Sequence, residues 1–155
     1  MKPIIIYYSR SGNTETVANR VKADLGCESI KIIPEEAYGN YVASCLRVMK
    51  ERSTKEIPSF VTAIPDLSSY DVILLGYPVW AQDMPAFVAE FVSRCNLEGK
   101  TVIPFVTYGM SGYNWTQKTV DKVCRGAKVE LPFQSGVFKK GNYDEWIASV
   151  KKLLQ

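Results

Sequence analysis

The chain has 155 residues, 46% of them hydrophobic, which suits one domain (residues 1–155) with an ordinary core. The net charge of +3 is spread out, with no basic run longer than pairs such as Lys139-Lys140 and Lys151-Lys152, which argues against a nucleic-acid binder. Histidine is absent, so no Ser-His or Cys-His nucleophile can be assembled, the commonest zinc ligand is missing and no metal site is expected; any catalysis is expected to rest on an added cofactor.

The apolar run Ile4-Ile5-Ile6-Tyr7-Tyr8 is too short for a signal peptide or a membrane span, and no other run approaches roughly 18 residues. A cytoplasmic protein with no membrane partner is expected. Cys27, Cys45, Cys95 and Cys124 are widely spaced with no CxxC pair, as befits buried thiols acting as small apolar groups.

In chain order, Lys2 to Tyr8 reads as a buried strand, β-branched, aromatic and uninterrupted. Asn13 to Leu25 reads as a helix with Val17, Val21 and Leu25 on one face and Gly26 at its end. Ser29 to Ile33 is a second strand, stopped by Pro34. Tyr41 to Glu51 carries Val42, Cys45, Leu46 and Met49 at helical spacing. Ser53 to Ser69, of mixed polarity with two prolines, reads as loop. Val72 to Gly76 is a third buried strand and Pro85 to Cys95 a helix with Phe87, Val88, Phe91 and Val92 inward. Thr101 to Thr107 is a fourth strand, Tyr113 to Cys124 a helix, Ala127 to Leu131 a fifth strand and Tyr143 to Leu154 a final helix.

Strands alternate with helices throughout, and continuous apolar strands imply a sheet covered on both faces. The expected architecture is α/β, a five-stranded parallel sheet between two helical layers. Ligands of such sheets bind beyond the carboxyl ends of the strands, where the strand order reverses. That directs attention to the loops after strands one, three and four.

The first loop, Ser9-Arg10-Ser11-Gly12-Asn13-Thr14, joins a buried strand to a helix start. Its hydroxyls, its glycine and the helix's outward N–H groups make a nest for a phosphate, although the same groups serve an ordinary helix cap. Neither GxxxxGK[ST] nor GxGxxG is present, and the loop has no lysine. The second loop, Tyr77-Pro78-Val79-Trp80-Ala81-Gln82-Asp83, sets a tryptophan just past a strand end, where it can stack on a planar ring or lid the core. The third, Thr107-Tyr108-Gly109-Met110-Ser111-Gly112, offers two glycines and aromatic faces nearby. A planar ring system carrying one terminal phosphate fits all three.

At these residues the chain resembles the flavodoxin family. The likeness runs through Ile6-Tyr7-Tyr8-Ser9-Arg10-Ser11-Gly12-Asn13-Thr14, Leu75-Gly76-Tyr77-Pro78-Val79-Trp80 and Pro104-Phe105-Val106-Thr107-Tyr108-Gly109. It implies a flavodoxin-like three-layer sandwich of strand order 2-1-3-4-5 with FMN as cofactor. It further implies that Ser9, Arg10, Ser11, Gly12, Asn13 and Thr14 hold the phosphate. Pro78, Val79, Trp80 and Ala81 would line the ring, and Thr107, Tyr108, Gly109 and Gly112 would close its other side. A carbonyl of the Tyr77–Ala81 segment is expected to accept a hydrogen bond from the ring, and Tyr38 and Tyr41 to form a lid. The span from Leu131 to Tyr143 leaves no room for the insertion of long-chain members. The implied function is electron transfer with a redox partner protein, the alternative an FMN-dependent NAD(P)H or quinone reductase. Two features depart from the acidic electron shuttles of the family: the net charge of +3 and the long segment from Glu35 to Pro65.

Overall fold

The computed structural model describes residues 1–155. The opening apolar run forms β1 (Pro3–Tyr7), followed by α1 (Asn13–Leu25), β2 (Glu28–Lys31) and α2 (Tyr41–Thr54). Then come β3 (Val72–Val79), α3 (Ala86–Arg94) and β4 (Thr101–Tyr108). A 3₁₀ turn at Tyr113–Thr116 leads into α4 (Gln117–Val123), and β5 (Lys128–Val129), β6 (Phe133–Gly136) and α5 (Tyr143–Leu154) complete the chain.

All strand pairings are parallel, in the order β2-β1-β3-β4-β5, with β6 also on β4. The sheet therefore has five positions, in the expected order. Side chains alternate across it, as the two-residue period of a strand requires. Ile4, Ile6, Ile73, Leu75, Tyr77, Val102 and Val106 pack with Phe87, Val88 and Phe91 of α3 and Val120 of α4. Ile5, Tyr7, Leu74, Ile103 and Phe105 pack on the opposite face with Ala18 and Val21 of α1 and Trp146, Ile147 and Val150 of α5. Each central strand serves two cores, which is why β1, β3 and β4 read as unbroken apolar runs.

Three elements differ from expectation. β3 does not stop at Gly76: Tyr77, Pro78 and Val79 continue the pairing against Val106, Thr107 and Tyr108. The fifth strand breaks and resumes. Val129 pairs with Val102 and Phe133 with Phe105, so the edge chain carries one extra residue, and Leu131 takes a φ of 50° in the resulting bulge. Pro132, which has no N–H to give, marks the break, and the Leu131 carbonyl instead accepts from Trp146 Nε1 at 2.8 Å. Lastly, the helix expected over Tyr113–Cys124 opens as 3₁₀ before becoming α4.

Helix α2 is present but turned. Its apolar residues Val42, Leu46 and Met49 are exposed, while Ser44, Val48 and Glu51 are buried. Leu46→Ala is therefore expected to change stability by no more than about 0.5 kcal/mol. Phe91→Ala, at a fully buried position, should cost about 3–5 kcal/mol. Urea denaturation of the two variants checks this, and a large loss for Leu46→Ala would contradict the outward orientation.

Candidate functional site

The strand order reverses between β1 and β3, and there the loops at the carboxyl edge part around a cavity of about 420 Å³, within the range of small-molecule sites. The first loop contributes Ser9, Arg10, Ser11, Asn13 and Thr14 to its wall, the second Pro78, Val79 and Trp80, and the third Thr107, Tyr108 and Gly109. No carboxylate lines it.

At the head of α1 the chain enters the helix through Gly12, whose φ of 100° lies in the left-handed region that glycine tolerates. Gly12 is the N-cap, and no side chain accepts from the amides of the first turn. The other long helices with polar caps are handled differently: Asn40 accepts from the Ala43 N–H at 2.9 Å, and Asn142 from the Glu145 N–H at 3.3 Å. The helical ladder of α1 begins with Thr16 N–H to the Gly12 carbonyl at 2.8 Å. The N–H groups of Asn13, Thr14 and Glu15 precede that bond and have no intrahelical acceptor. The ordinary side-chain cap that the sequence allowed is thus not made.

Hydroxyl protons add to this set. Ser9 Oγ accepts from the Gly12 N–H at 3.1 Å and keeps its own proton to donate. The Thr14 and Thr107 hydroxyls lie 2.7 Å apart, which uses one proton and leaves one. Ser11 is exposed, whereas Thr16 spends its proton on the Gly12 carbonyl at 2.8 Å. Arg10 Nη1 donates to the Gly39 carbonyl at 3.2 Å, while its Nε is buried without a partner. A buried charged donor in that state costs more than the roughly 1–3 kcal/mol of a neutral one, so an acceptor in the cavity is its natural complement.

On the second wall, the Trp80 ring does not stand free. It is 2% exposed, packed against Tyr8 at 5.5 Å and Tyr38 at 4.9 Å between centroids. Tyr38 is likewise a core group, its hydroxyl donating to Glu51 at 3.0 Å, and is no lid. Tyr41 does line the cavity, with its phenol over Gly109. Ala81 and Gln82 form a turn with φ of 46° and 67°, closed by reciprocal backbone bonds between Trp80 and Asp83 at 2.9 and 3.1 Å. Arg52 donates to the Trp80 carbonyl at 2.8 Å and to the Ala81 carbonyl, so those two acceptors are already engaged.

Three residues expected at the site lie outside the cavity wall. Gly12 shapes the turn from its backbone, and Ala81 belongs to the Arg52-held turn. Gly112 is needed by a neighbour: a Cβ there would lie 2.4 Å from Gln134 Oε1, which accepts from the Tyr113 N–H at 2.9 Å. Conversely, Thr16 and Val17 of α1, Tyr41, and Ser135, Val137 and Lys140 complete the lining. The last three arrive on β6 and the loop after it.

The comparisons with known proteins agree with this geometry. The fold and the cavity at its switch point define an α/β protein of the flavodoxin-like class. The flavodoxin family pattern matches residues 2–150, and the chain belongs to that family. A protein described as a flavoprotein from Bacteroides uniformis superposes with a TM-score of 0.81 at 24% identity, covering 97% of each chain. A flavoprotein from Lactobacillus acidophilus solved in complex with FMN gives 0.73 at 18% identity, covering 94% of this chain and 98% of its own. Two-electron reduced Megasphaera elsdenii flavodoxin gives 0.55 at 26% identity, covering 89% and 87%. Among curated protein sequences none matches.

Burial pushes the phenols of Tyr7 and Tyr8 up to about 12, the hydrogen bond from Tyr7 to Glu15 adding to the former and the charges of Arg10 and Arg47 opposing the latter. A phenol that ionises near 10 unfolded and near 12 folded leaves stability intact below pH 10 and removes it between pH 10 and 12. The unfolding free energy is expected to fall across that window, and less steeply in Tyr8→Phe. Denaturation curves at stepped alkaline pH measure it, and identical slopes for the two proteins would refute the Tyr8 contribution.

Proposed function

We propose that this chain binds FMN and passes electrons through it. The observation that carries the reading is the uncapped head of α1. Its free amides and the spare protons of Ser9, Ser11 and the Thr14–Thr107 pair lie at a cavity with Arg10 in its wall and no acid. That donor set suits a phosphate. Family membership and the FMN complex of the Lactobacillus acidophilus protein support the same cofactor.

When bound, FMN supplies one- and two-electron redox chemistry. The residues of the chain have three tasks. The α1 head and Ser9–Thr14 hold the phosphate, with Gly12 supporting them through its backbone. Tyr108 and Tyr41, which stand at the cavity where Trp80 is buried, flank the ring together with Pro78, Val79, Thr107 and Gly109. Ala81 and Gly112 act behind this wall, one in the turn after β3 and the other under Gln134. Apolar walls exclude water and disfavour added negative charge on the ring, which is how the protein would bind the oxidation states unequally.

A redox partner protein is the proposed electron donor or acceptor. The alternative reading is an FMN-dependent NAD(P)H or quinone reductase on the same fold. No helix is long and apolar enough to cross a membrane. The four free thiols suit a reducing compartment, and we place the protein in the cytoplasm.

Flavin fluorescence during titration of the apoprotein tests the cofactor: FMN should saturate at one per chain, and absence of binding would end the proposal. Ser11→Ala, at an exposed residue, should weaken FMN about tenfold and leave riboflavin unchanged, the order expected of one hydrogen bond to a charged group. Anaerobic mixing with NADPH separates the two roles. Rapid bleaching of the bound flavin supports the reductase; bleaching only through a partner protein supports the carrier.

A further inference from the structure

We infer that Lys140 is the counter-charge of the bound phosphate and makes this site select flavins by charge. The inference rests on the FMN reading and concerns a residue more than a hundred positions from the phosphate loop.

Lys140 shares the cavity wall with Ser11, Asn13, Thr14, Thr16 and Val17, the loop and first turns of α1. The strap that carries it is held on both sides. At its start, the Val137 N–H donates to the Tyr108 carbonyl at 3.1 Å and the Gly136 N–H to the Lys139 carbonyl at 2.8 Å. Just after it, Gly141 lies against β6 so closely that a Cβ would sit 2.2 Å from the Gln134 carbonyl oxygen. Further on, Asp144 pairs with Arg20 of α1 at 2.6 Å, tying the strap's end one helical turn beyond Thr16. These contacts hold the backbone on either side of Lys140, which lines the cavity together with the first turns of α1.

The charges make the assignment chemical. A phosphate monoester carries roughly −1.5 to −2 at neutral pH, while a helix terminus offers only about +0.5. Arg10 spends one donor on Gly39, and the hydroxyls are neutral. Lys140 makes no ion pair with any carboxylate of the chain, and Asp144, the next acid along, is engaged by Arg20. A free ammonium at the wall of a cavity without acids is the group that completes the balance. Because the side chain is exposed, its contribution is that of a mobile point charge and is screened by salt.

The test is the affinity of full-length apoprotein for FMN and for riboflavin, which lacks the phosphate, at low and high salt. Lys140→Gln should weaken FMN about tenfold at low salt, leave riboflavin unchanged and flatten the salt dependence. Lys140→Arg should restore FMN binding, and Lys139→Gln, which removes a charge outside the cavity wall, should bind both flavins as the parent does. Equal FMN affinity in Lys140→Gln and the parent overturns the inference while leaving the FMN reading intact. So does a parallel loss of both flavins, which marks a merely structural role. A parent protein that binds neither flavin overturns both.

Discussion

Three backbone amides at the head of α1 set the terms for the site. Buried or half-buried N–H groups are nearly always paired, and this chain pairs them by side-chain caps at α2 and α5. At α1 it places a left-handed glycine in the cap position instead. That choice has meaning because of where the helix starts. β1 lies between β2 and β3, so the connections leaving β1 and β3 diverge to opposite sides of the sheet and open a crevice at the head of α1. The extension of β3 to Val79 and of β4 to Tyr108 deepens that crevice, because their last paired residues stand above the end of β1 at Tyr7. Topology makes the space, and the missing cap supplies its donors.

The sheet was legible from sequence because each central strand serves two cores. Ile4 to Tyr8, Val72 to Leu75 and Val102 to Val106 are apolar at every position, a pattern that survives without knowledge of partners. Elements with one packed face were harder to read. β6 is an edge strand with only Phe133 and Gly136 buried, and it follows a proline and a bulge, so neither alternation nor an apolar run marks it. The extension of β3 passes through Gly76, Tyr77 and Pro78, residue types that suggest a turn. Pro78 is tolerated because β1 ends opposite Gly76, so that β3 has a partner on one side only at that point.

The same division applies to the site. The phosphate loop was legible because its chemistry is local: a strand end, a glycine and a helix start within a few residues. Trp80 lines the cavity as expected, but a tryptophan just past a strand end gives no sign of which neighbours will claim its ring; Tyr8 and Tyr38 do so from distant positions. Lys140, Ser135 and Val137 were out of reach for a related reason. They join the cavity only through the register of β6 on β4, which pairs Thr107 with Ser135 and Tyr108 with Gly136.

The orientation of α2 follows from what its inner face holds. Glu51 is buried and receives the Tyr38 hydroxyl at 3.0 Å and Arg47 Nε at 2.9 Å, while the Arg47 guanidinium lies 3.8 Å over the Tyr38 ring. One residue further, Arg52 reaches across to the carbonyls of Trp80 and Ala81. Rotating the helix to bury Val42, Leu46 and Met49 would break the bond from Tyr38 to Glu51 and withdraw Arg52 from the turn, giving up hydrogen bonds to charged groups at about 1.5–3 kcal/mol each. The row also explains how two non-glycine residues persist in left-handed conformation at Ala81 and Gln82. Each such residue costs of order 1–3 kcal/mol and survives only where its surroundings over-determine it. Arg52 on one side and the paired Trp80–Asp83 backbone on the other provide that constraint. The outward apolar stripe of α2 is therefore the consequence of using the inner face to hold the turn beside the cavity.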